Sequence, residues 1–151
     1  MTEEFGVDLG VAVVKPSGGS SIFEFGTPVD GRVGFVSKGK LMFEPRCTLA
    51  YASSSGSSAY DFDLGLNLLY GMGEGGNHSG PYLTVGGSVD LEKIVTSETF
   101  IAFNGGVGTR MGYGSGAIRL EAFVMDHLKK SSIGFPNTLT IGARVGLSLW
   151  H

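Results

Sequence analysis

Apolar and polar residues alternate along most of this chain. A period of two places successive side chains on opposite faces of a β-strand, and no stretch keeps a helical period. Turn-forming residues interrupt the alternation, as at Pro16-Ser17-Gly18-Gly19 and Gly114-Ser115-Gly116. The pattern predicts eight strands, with residues 22–25 either extending the second strand or forming part of a loop. The predicted strands lie at residues 5–14, 31–37, 40–52, 59–72, 81–91, 99–112, 117–126 and 138–150.

One face of each predicted strand is apolar, as with Leu64, Leu66 and Leu68 in the fourth strand. The opposite face combines glycine with charged residues, and every arginine of the chain lies on it. The lysines lie instead at predicted turns and strand ends. The charged residues of this face are Asp8, Arg32, Glu44, Arg46, Asp61, Asp63, Asp90, Arg110, Arg119, Glu121 and Arg144.

The composition of the two faces indicates which one points inward. A soluble barrel buries its apolar face, whereas a membrane barrel turns that face to lipid and keeps a polar lumen. Glycine beside a few long charged side chains suits the narrow interior of eight strands, which rows of leucine and phenylalanine would overfill. Tyrosines near the ends of the apolar face are typical of an aromatic girdle. These tyrosines are Tyr51, Tyr60, Tyr70 and Tyr113.

The sequence therefore predicts an all-β, eight-stranded, antiparallel, up-and-down transmembrane β-barrel, with residues 1–151 as a single domain and side chains filling a polar lumen. An unpaired charge would be very costly in that lumen, so we expect the charged residues to form one connected network of ion pairs. A soluble barrel or sandwich with an apolar core is the alternative.

Turn lengths predict local register. An odd-length turn at Ser37-Lys38-Gly39 would place Arg32 opposite Glu44, and a two-residue turn at Gly114-Ser115 would place Met111 opposite Ile118. Pro45 has no N–H for the sheet, so we expect a β-bulge there.

Composition and charge exclude several classes. The formal net charge is −3, so no basic surface indicates nucleic-acid binding. Cys47 is the only cysteine, which excludes an internal disulfide and a cysteine-based zinc site. The three histidines are too scattered along the sequence to define a metal site. We expect no cofactor and no metal, and a monomer whose partners are membrane lipids.

Several short segments carry a resemblance to small bacterial outer-membrane β-barrels of the OmpA/OmpX/OmpW-like kind. They are Arg32-Val33-Gly34-Phe35, Leu41-Met42-Phe43-Glu44-Pro45-Arg46, Pro81-Tyr82-Leu83, Arg119-Leu120-Glu121-Ala122 and Gly142-Ala143-Arg144-Val145-Gly146-Leu147-Ser148-Leu149. The family commonly ends in phenylalanine, where this chain has His151. The resemblance implies that residues 15–30, 53–58, 92–98 and 127–137 are loops at the outer surface.

The resemblance also implies a location and a function. It implies an outer-membrane location. The first residues, Met1-Thr2-Glu3-Glu4, carry no export signal, and read literally that indicates the cytoplasm. We favour the interpretation that a signal peptide has already been removed. We expect a structural, anchoring or surface-interaction role with a plugged lumen. The alternatives are a narrow channel or lateral path for small or hydrophobic molecules, and a soluble lipocalin-like carrier. The partners of the outer loops are not indicated.

Catalysis is not expected. Lipid A deacylases resembling this family use His-x-Ser-Asn on a late strand, followed by a glutamate. In this chain His127 is followed by Leu128 and Lys129, and Ile141 stands where the glutamate is expected. Asp61 and Asp63 are two apart on one face, as a catalytic carboxylate pair can be, but they are better explained as ion partners of the arginines.

Overall fold

Eight antiparallel strands form a closed barrel in the computed structural model, each paired with its neighbours in the chain and β8 paired with β1. The structure describes residues 2–37, 39–54, 57–73, 78–93, 97–128 and 137–151, with side chains described except at 2, 22–28, 50–54, 57–61, 92–93 and 97–98. The strands are β1 (Thr2–Pro16), β2 (Ile22–Ser37), β3 (Leu41–Ser54), β4 (Ser57–Gly71), β5 (Gly80–Lys93), β6 (Ser97–Tyr113), β7 (Gly116–His127) and β8 (Thr138–Trp150).

The two ends of the barrel differ. Both termini and the β2–β3, β4–β5 and β6–β7 connections lie at one end, called here the turn end, and the other four connections lie at the loop end. Reciprocal backbone bonds join Glu3 and His151 at the turn end, so the two termini are adjacent. No helix in the described part of the chain is long and apolar enough to cross a bilayer.

The strands extend further toward the loop end than predicted. β2 begins at Ile22, so residues 22–30 belong to a strand and the predicted loop at 15–30 is wrong; the connection is 17–21. β3 reaches Ser54 and β6 begins at Ser97, which shortens the predicted loops at 53–58 and 92–98. Hairpin hydrogen bonds join backbone groups and need no apolar side chains, so pairing continues past the alternating segments.

The register of β2 against β3 differs from the prediction by two residues. Arg32 lies opposite Arg46, not Glu44, because the pairing at the end of the hairpin joins Ser37 to Leu41. Gly39 has a positive φ of 87° in this turn, as the predicted glycine-containing loop requires. At the β6–β7 turn Met111 does lie opposite Ile118, as predicted.

The expected β-bulge at Pro45 is wrong. Pairing of β3 with β4 runs through Pro45 without a shift, and β2 and β3 keep one register on both sides of it. The register shift lies between β1 and β2, where Leu9 pairs with Val29 but Val11 pairs with Phe25. Three residues of β2, including Pro28, therefore lie opposite Gly10, and the bulge accommodates a different proline from the one predicted.

The apolar face points outward, as the sequence predicts. Leu64 and Leu66 are 52% and 54% exposed on the outer wall. Among the described side chains, the buried groups are mostly polar or charged, and just seven hydrophobic residues are buried. An apolar ligand cavity of the lipocalin kind is therefore absent from the described lumen, which argues against the soluble-carrier alternative.

An apolar layer lies in the lumen near the turn end. It consists of Val36, Met42, Leu69 and Tyr82, with Trp150 packed against it. These residues continue the inward-facing positions of β2 to β5, where the alternation places a large apolar side chain in phase with the polar ones. Arg110 lies beside these side chains, with its Nη1 3.9 Å from Met42 Sδ and its Cζ 5.2 Å from the centroid of the Tyr82 ring, so the layer and the charged residues meet at this level of the lumen.

Two cysteine variants distinguish the observed β2–β3 register from the one the turn predicts. Cys47 lies opposite Gly31 in the structure, whereas the predicted register would place it opposite Val29. We expect Gly31→Cys to form a disulfide with Cys47 on mild oxidation, since directly opposed residues have Cα atoms about 4.5–5.5 Å apart. Val29→Cys is the matched control, at a diagonal position about 7–8 Å away. Mass spectrometry after alkylation measures both, and faster bridging in Val29→Cys would contradict the observed register.

Candidate functional site: the charged lumen

The structure brings most of the predicted charged residues into the lumen. Nine of the eleven are buried there, and Asp63 is half-buried, while the side chain of Asp61 lies outside the described residues. The nine buried residues are Asp8, Arg32, Glu44, Arg46, Asp90, Arg110, Arg119, Glu121 and Arg144.

Two lumen carboxylates were missed by the sequence reasoning. Glu4 is fully buried and Asp30 is 7% exposed. Both lay just outside the predicted strands, because β1 was begun at residue 5 and β2 at residue 31. Each predicted strand needed one more residue at its start, since the inward-facing positions continue from Asp8 through Gly6 to Glu4 and from Arg32 to Asp30.

Arg32 lies between two carboxylates of β1. Its guanidinium pairs with Glu4 and, at 2.9 Å between Nε and Oδ2, with Asp8. Gly6 lies directly opposite Arg32, and a side chain there would collide with the guanidinium. Arg32 also donates to the hydroxyl of Ser148 at 2.8 Å. The glycine thus makes the space in which the arginine meets both acids.

Arg119 joins the two sides of the lumen. Its Nη1 lies 2.6 Å from Glu44 Oε2 on β3, and its Nη2 pairs with Glu121 on its own strand. Arg119 Nε also donates to the hydroxyl of Tyr82 at 2.6 Å, and that hydroxyl donates to Glu121 at 2.6 Å. Arg119 and Tyr82 are both almost completely buried, so these contacts are made away from bulk water.

The remaining arginines add further ion pairs in both directions along the lumen. Arg110 pairs with Glu4 at 2.9 Å. Arg144 pairs with Glu121 and, at 3.3 Å, with Asp30, which also pairs with Arg46. With the 3.5 Å approach of Arg32 to Glu44, these contacts link ten residues. This bore network consists of five arginines and five carboxylates: Glu4, Asp8, Asp30, Arg32, Glu44, Arg46, Arg110, Arg119, Glu121 and Arg144.

The bore network is formally neutral, but its charges are divided unevenly along the chain. β1 to β3 contribute four of its carboxylates and two arginines, whereas β6 to β8 contribute three arginines and one carboxylate. Five contacts tie the halves together: Arg110 to Glu4 and Glu44, Arg119 to Glu44 and Asp8, and Arg144 to Asp30. An acidic half and a basic half therefore neutralise each other.

Like charges are direct neighbours in the sheet at several points. Arg32 lies opposite Arg46, and Arg110 opposite Arg119. Directly opposed like charges destabilise an isolated strand pair. Each of these arginines has a carboxylate partner elsewhere in the lumen, so the repulsion is offset once the barrel is closed.

Asp90 belongs to a separate polar group nearer the loop end. Its Oδ2 lies 2.8 Å from Nε2 of His127, and it accepts a 3.2 Å hydrogen bond from the Ser88 hydroxyl. Asp63 lies directly opposite Asp90. The predicted network is thus divided: Asp90 pairs with a histidine rather than an arginine.

Of the four tyrosines predicted to form a girdle, the structure describes the side chains of the two at the turn end. Tyr70 and Tyr113 face outward there and are 46% and 48% exposed. The side chains of Tyr51 and Tyr60 lie outside the described residues. Cys47 is exposed on the outer wall, away from the lumen.

The chemical character of the lumen is that of a filled, ion-paired interior. Among the described residues, no group of three or more histidine, cysteine or acidic side chains is arranged to hold a metal ion. The arginines are occupied by carboxylates or stacked near aromatic rings, as Arg144 is over Phe123 with its Cζ 5.0 Å from the ring centroid. The arrangement can hold the barrel closed and obstruct passage along its axis.

Solved structures share this fold at low sequence identity. Neisserial surface protein A (NspA) matches with a TM-score of 0.70 and 15% identity over 99% of this chain and 98% of that one. Ail, the attachment invasion locus protein of Yersinia pestis, matches with a TM-score of 0.56 and 10% identity, over 99% and 98%. The outer-membrane enzyme PagL matches with a TM-score of 0.52 and 12% identity, over 94% and 98%. No family model and no curated protein sequence matches the chain.

Removing the central arginine tests the bore network. We expect Arg119→Met to lower the free energy of unfolding by roughly 3–5 kcal/mol, because Glu44 and Glu121 would stay buried without their shared partner. Urea unfolding in lipid vesicles, followed by tryptophan fluorescence, measures the change. Lys40→Met, at an exposed turn position, is the control and should stay within about 0.5 kcal/mol. Equal effects of the two variants would contradict a role for the buried charges.

Proposed function

We propose that this protein is an integral outer-membrane β-barrel whose filled lumen serves stability rather than transport. The single observation that carries the proposal is the inversion of polarity: large apolar side chains cover the outside, while ten mutually paired charges occupy the inside. Lipid is the surrounding that suits such an exterior, because water would leave a continuous apolar surface exposed. The shared fold of NspA, Ail and PagL supports the same membrane.

The loop end is the part of the barrel that we assign to the cell exterior. In barrels of this architecture the turns and both termini lie on the periplasmic side and the longer connections lie outside. The role would then be structural, anchoring or surface-interactive, with the barrel acting as a monomeric scaffold for the outer connections. The names of NspA, a surface protein, and Ail, an attachment protein, support this kind of role.

We assign no enzymatic activity to the barrel. PagL is an enzyme with the same fold, so the question depends on residues rather than architecture. His127 is held at 2.8 Å by Asp90, and the Ser88 hydroxyl donates to that same carboxylate at 3.2 Å. A serine nucleophile needs a base within hydrogen-bond reach, and the contact of Ser88 with Asp90 supports a structural role for that hydroxyl.

A charge on the outer wall tests the membrane assignment. We expect Leu66→Arg to cost about 2–4 kcal/mol in a lipid bilayer, because Leu66 lies midway along β4 on the lipid-facing wall. Leu139→Arg, on the same wall but beside the loop end, is the matched control and should cost about 0–1 kcal/mol. Urea unfolding in vesicles measures both, with folded protein identified by its shift in gel mobility on boiling. A negligible effect of Leu66→Arg would mean that this face meets water.

Electrical recording separates a plugged scaffold from the second candidate, a narrow channel. We expect the folded protein to give no stepwise current in a planar lipid bilayer, since the bore network crosses the lumen of eight strands and the apolar layer fills part of it near the turn end. Protein denatured by boiling is the control for current caused by bilayer damage. Reproducible current steps from the folded form alone would favour the channel.

The other candidate form of transport is a lateral path through the barrel wall, and the gap in pairing between β2 and β3 is a candidate place for it. Among the described residues, β2–β3 pairing stops at Val29 and Leu49, although β2 continues to Ile22 and β3 to Ser54. A hydrophobic molecule on this path would lie between the unpaired ends of β2 and β3. Native mass spectrometry after release from mild detergent would reveal such a bound molecule by its added mass.

A further inference from the structure

The loop-end half of the lumen has an apolar side that the bore network does not use. On that side the alternation of β1, β6 and β7 turns apolar side chains inward, in phase with the buried residues Asp8, Asn104 and Glu121. These apolar residues are Ala12 and Val14 on β1, Phe100 and Ala102 on β6, and Phe123 and Met125 on β7. The polar character of the lumen therefore changes toward the loop end.

This apolar side borders an open space. The four residues from β1 and β7 face inward but are partly exposed, whereas every residue of the bore network is buried. The strands thus enclose a recess at the loop end, called here the loop-end recess. Arg144 belongs to its floor, with its Cζ 5.0 Å from the centroid of the Phe123 ring. The floor is closed by ion pairs, because Arg144 contacts both Asp30 and Glu121.

The facing side of the loop-end recess carries carboxyl groups. Asp63 on β4 lies directly opposite Asp90 on β5. Asp90 pairs with His127 at 2.8 Å, whereas Asp63 is half-buried and its Oδ1 has no hydrogen-bond partner among the described residues. His127 follows Met125 at the next inward position of β7, so the acidic side and the apolar side meet there.

The register of the sheet continues the acidic side toward the loop end. Asp61 on β4 pairs with Glu92 on β5, and Glu92 pairs with Glu98 on β6. Acidic residues are therefore aligned on three neighbouring strands, next to the pair formed by Asp63 and Asp90. Directly opposed like charges destabilise a strand pair, and a nearby positive charge offsets that repulsion and favours the ionised carboxylates.

The two sides of the loop-end recess together define the ligand that fits it. The carboxylates favour a positive charge, and the partly exposed apolar side chains gain stability when an apolar group covers them. An inorganic cation would leave the apolar side uncovered, and a neutral hydrophobic molecule would leave the carboxylates unmatched. The recess differs from a lipocalin cavity, because it is apolar on one side and acidic on the other.

We propose that the loop-end recess is a binding site for organic cations in which an ammonium group is joined to a short apolar chain. The ammonium group lies beside Asp63 and Asp90, and the apolar chain lies against Phe123 and Met125. The closed floor holds the ligand at the loop end and does not let it pass along the axis. The proposal goes beyond the scaffold role and does not depend on it.

Methyl nuclear magnetic resonance tests the proposal on the intact wild-type barrel in lipid nanodiscs. The methionine methyl groups are labelled with ¹³C, and the probes are hexylammonium and hexanoate, which have the same chain length and carry opposite charges at about pH 8. We expect the Met125 resonance to shift and saturate with hexylammonium and not with hexanoate. Met111, exposed on the outer wall, reports the entry of each probe into the lipid.

Two results on the wild-type barrel would overturn the proposal. One is a Met125 shift that grows with hexylammonium in parallel with that of Met111 and does not saturate, because it would reflect the lipid alone. The other is an equal Met125 response to hexylammonium and hexanoate, because the acidic side would then have no part in binding.

The variant Asp63→Asn removes the carboxylate at nearly the same size. We expect it to weaken the binding of hexylammonium at Met125 by about tenfold, as for the loss of a hydrogen bond to a charged group. Asp126→Asn is the matched control, because it makes the same change of charge at an exposed position of β7 near the loop end, and it should leave the affinity unchanged. Equal affinities of Asp63→Asn and the wild type would contradict the proposed place of the ammonium group. If Asp63→Asn does not fold, the two probes on the wild type still decide the proposal.

Discussion

Charge pairing across the lumen is the interaction on which the rest of this structure depends. Three of its contacts, between Arg110 and Glu4, Arg119 and Glu44, and Arg144 and Asp30, join strands from opposite ends of the chain. Without these contacts, the first three strands would keep two excess carboxylates and the last three strands two excess arginines, and such unpaired charges are costly in a low-dielectric interior. Closure of the sheet and neutralisation of the lumen are therefore one event, and the direct pairing of β1 with β8 completes both.

The glycines of the inner face leave room for the long charged side chains of the lumen. Gly6 leaves the space that the Arg32 guanidinium occupies, and the Tyr82 hydroxyl extends over Gly108 in the same way. A lumen of eight strands has little volume, so long side chains can enter it only where their neighbours have none. This explains why glycine and arginine share one face of the strands while most of the leucines lie on the other.

Much of the fold could be predicted from the sequence, because alternation with period two determines both the strands and their inward faces. It placed Arg119 and Glu121 inside and Leu64 and Leu66 outside. The predictions were wrong where they rested on the sequence of a single turn or a single strand end. The β2–β3 turn admitted two loop placements that both use Gly39, and only the closed sheet selects the one with Arg32 opposite Arg46. Glu4 and Asp30 were missed because strand ends have no sharp signal, and no local pattern indicates which carboxylate an arginine will reach across the lumen.

The uneven division of charge between the first and last three strands has a consequence for how the barrel assembles. Before closure, the chain is a polyampholyte whose two ends carry opposite excess charge, and in the bore network the central strands β4 and β5 contribute none. Attraction between the ends acts at long range in a medium of low permittivity, and it favours the curvature that brings β8 to β1. The same excess disfavours pairing between two copies through like ends, because the first three strands of each chain carry the same net charge.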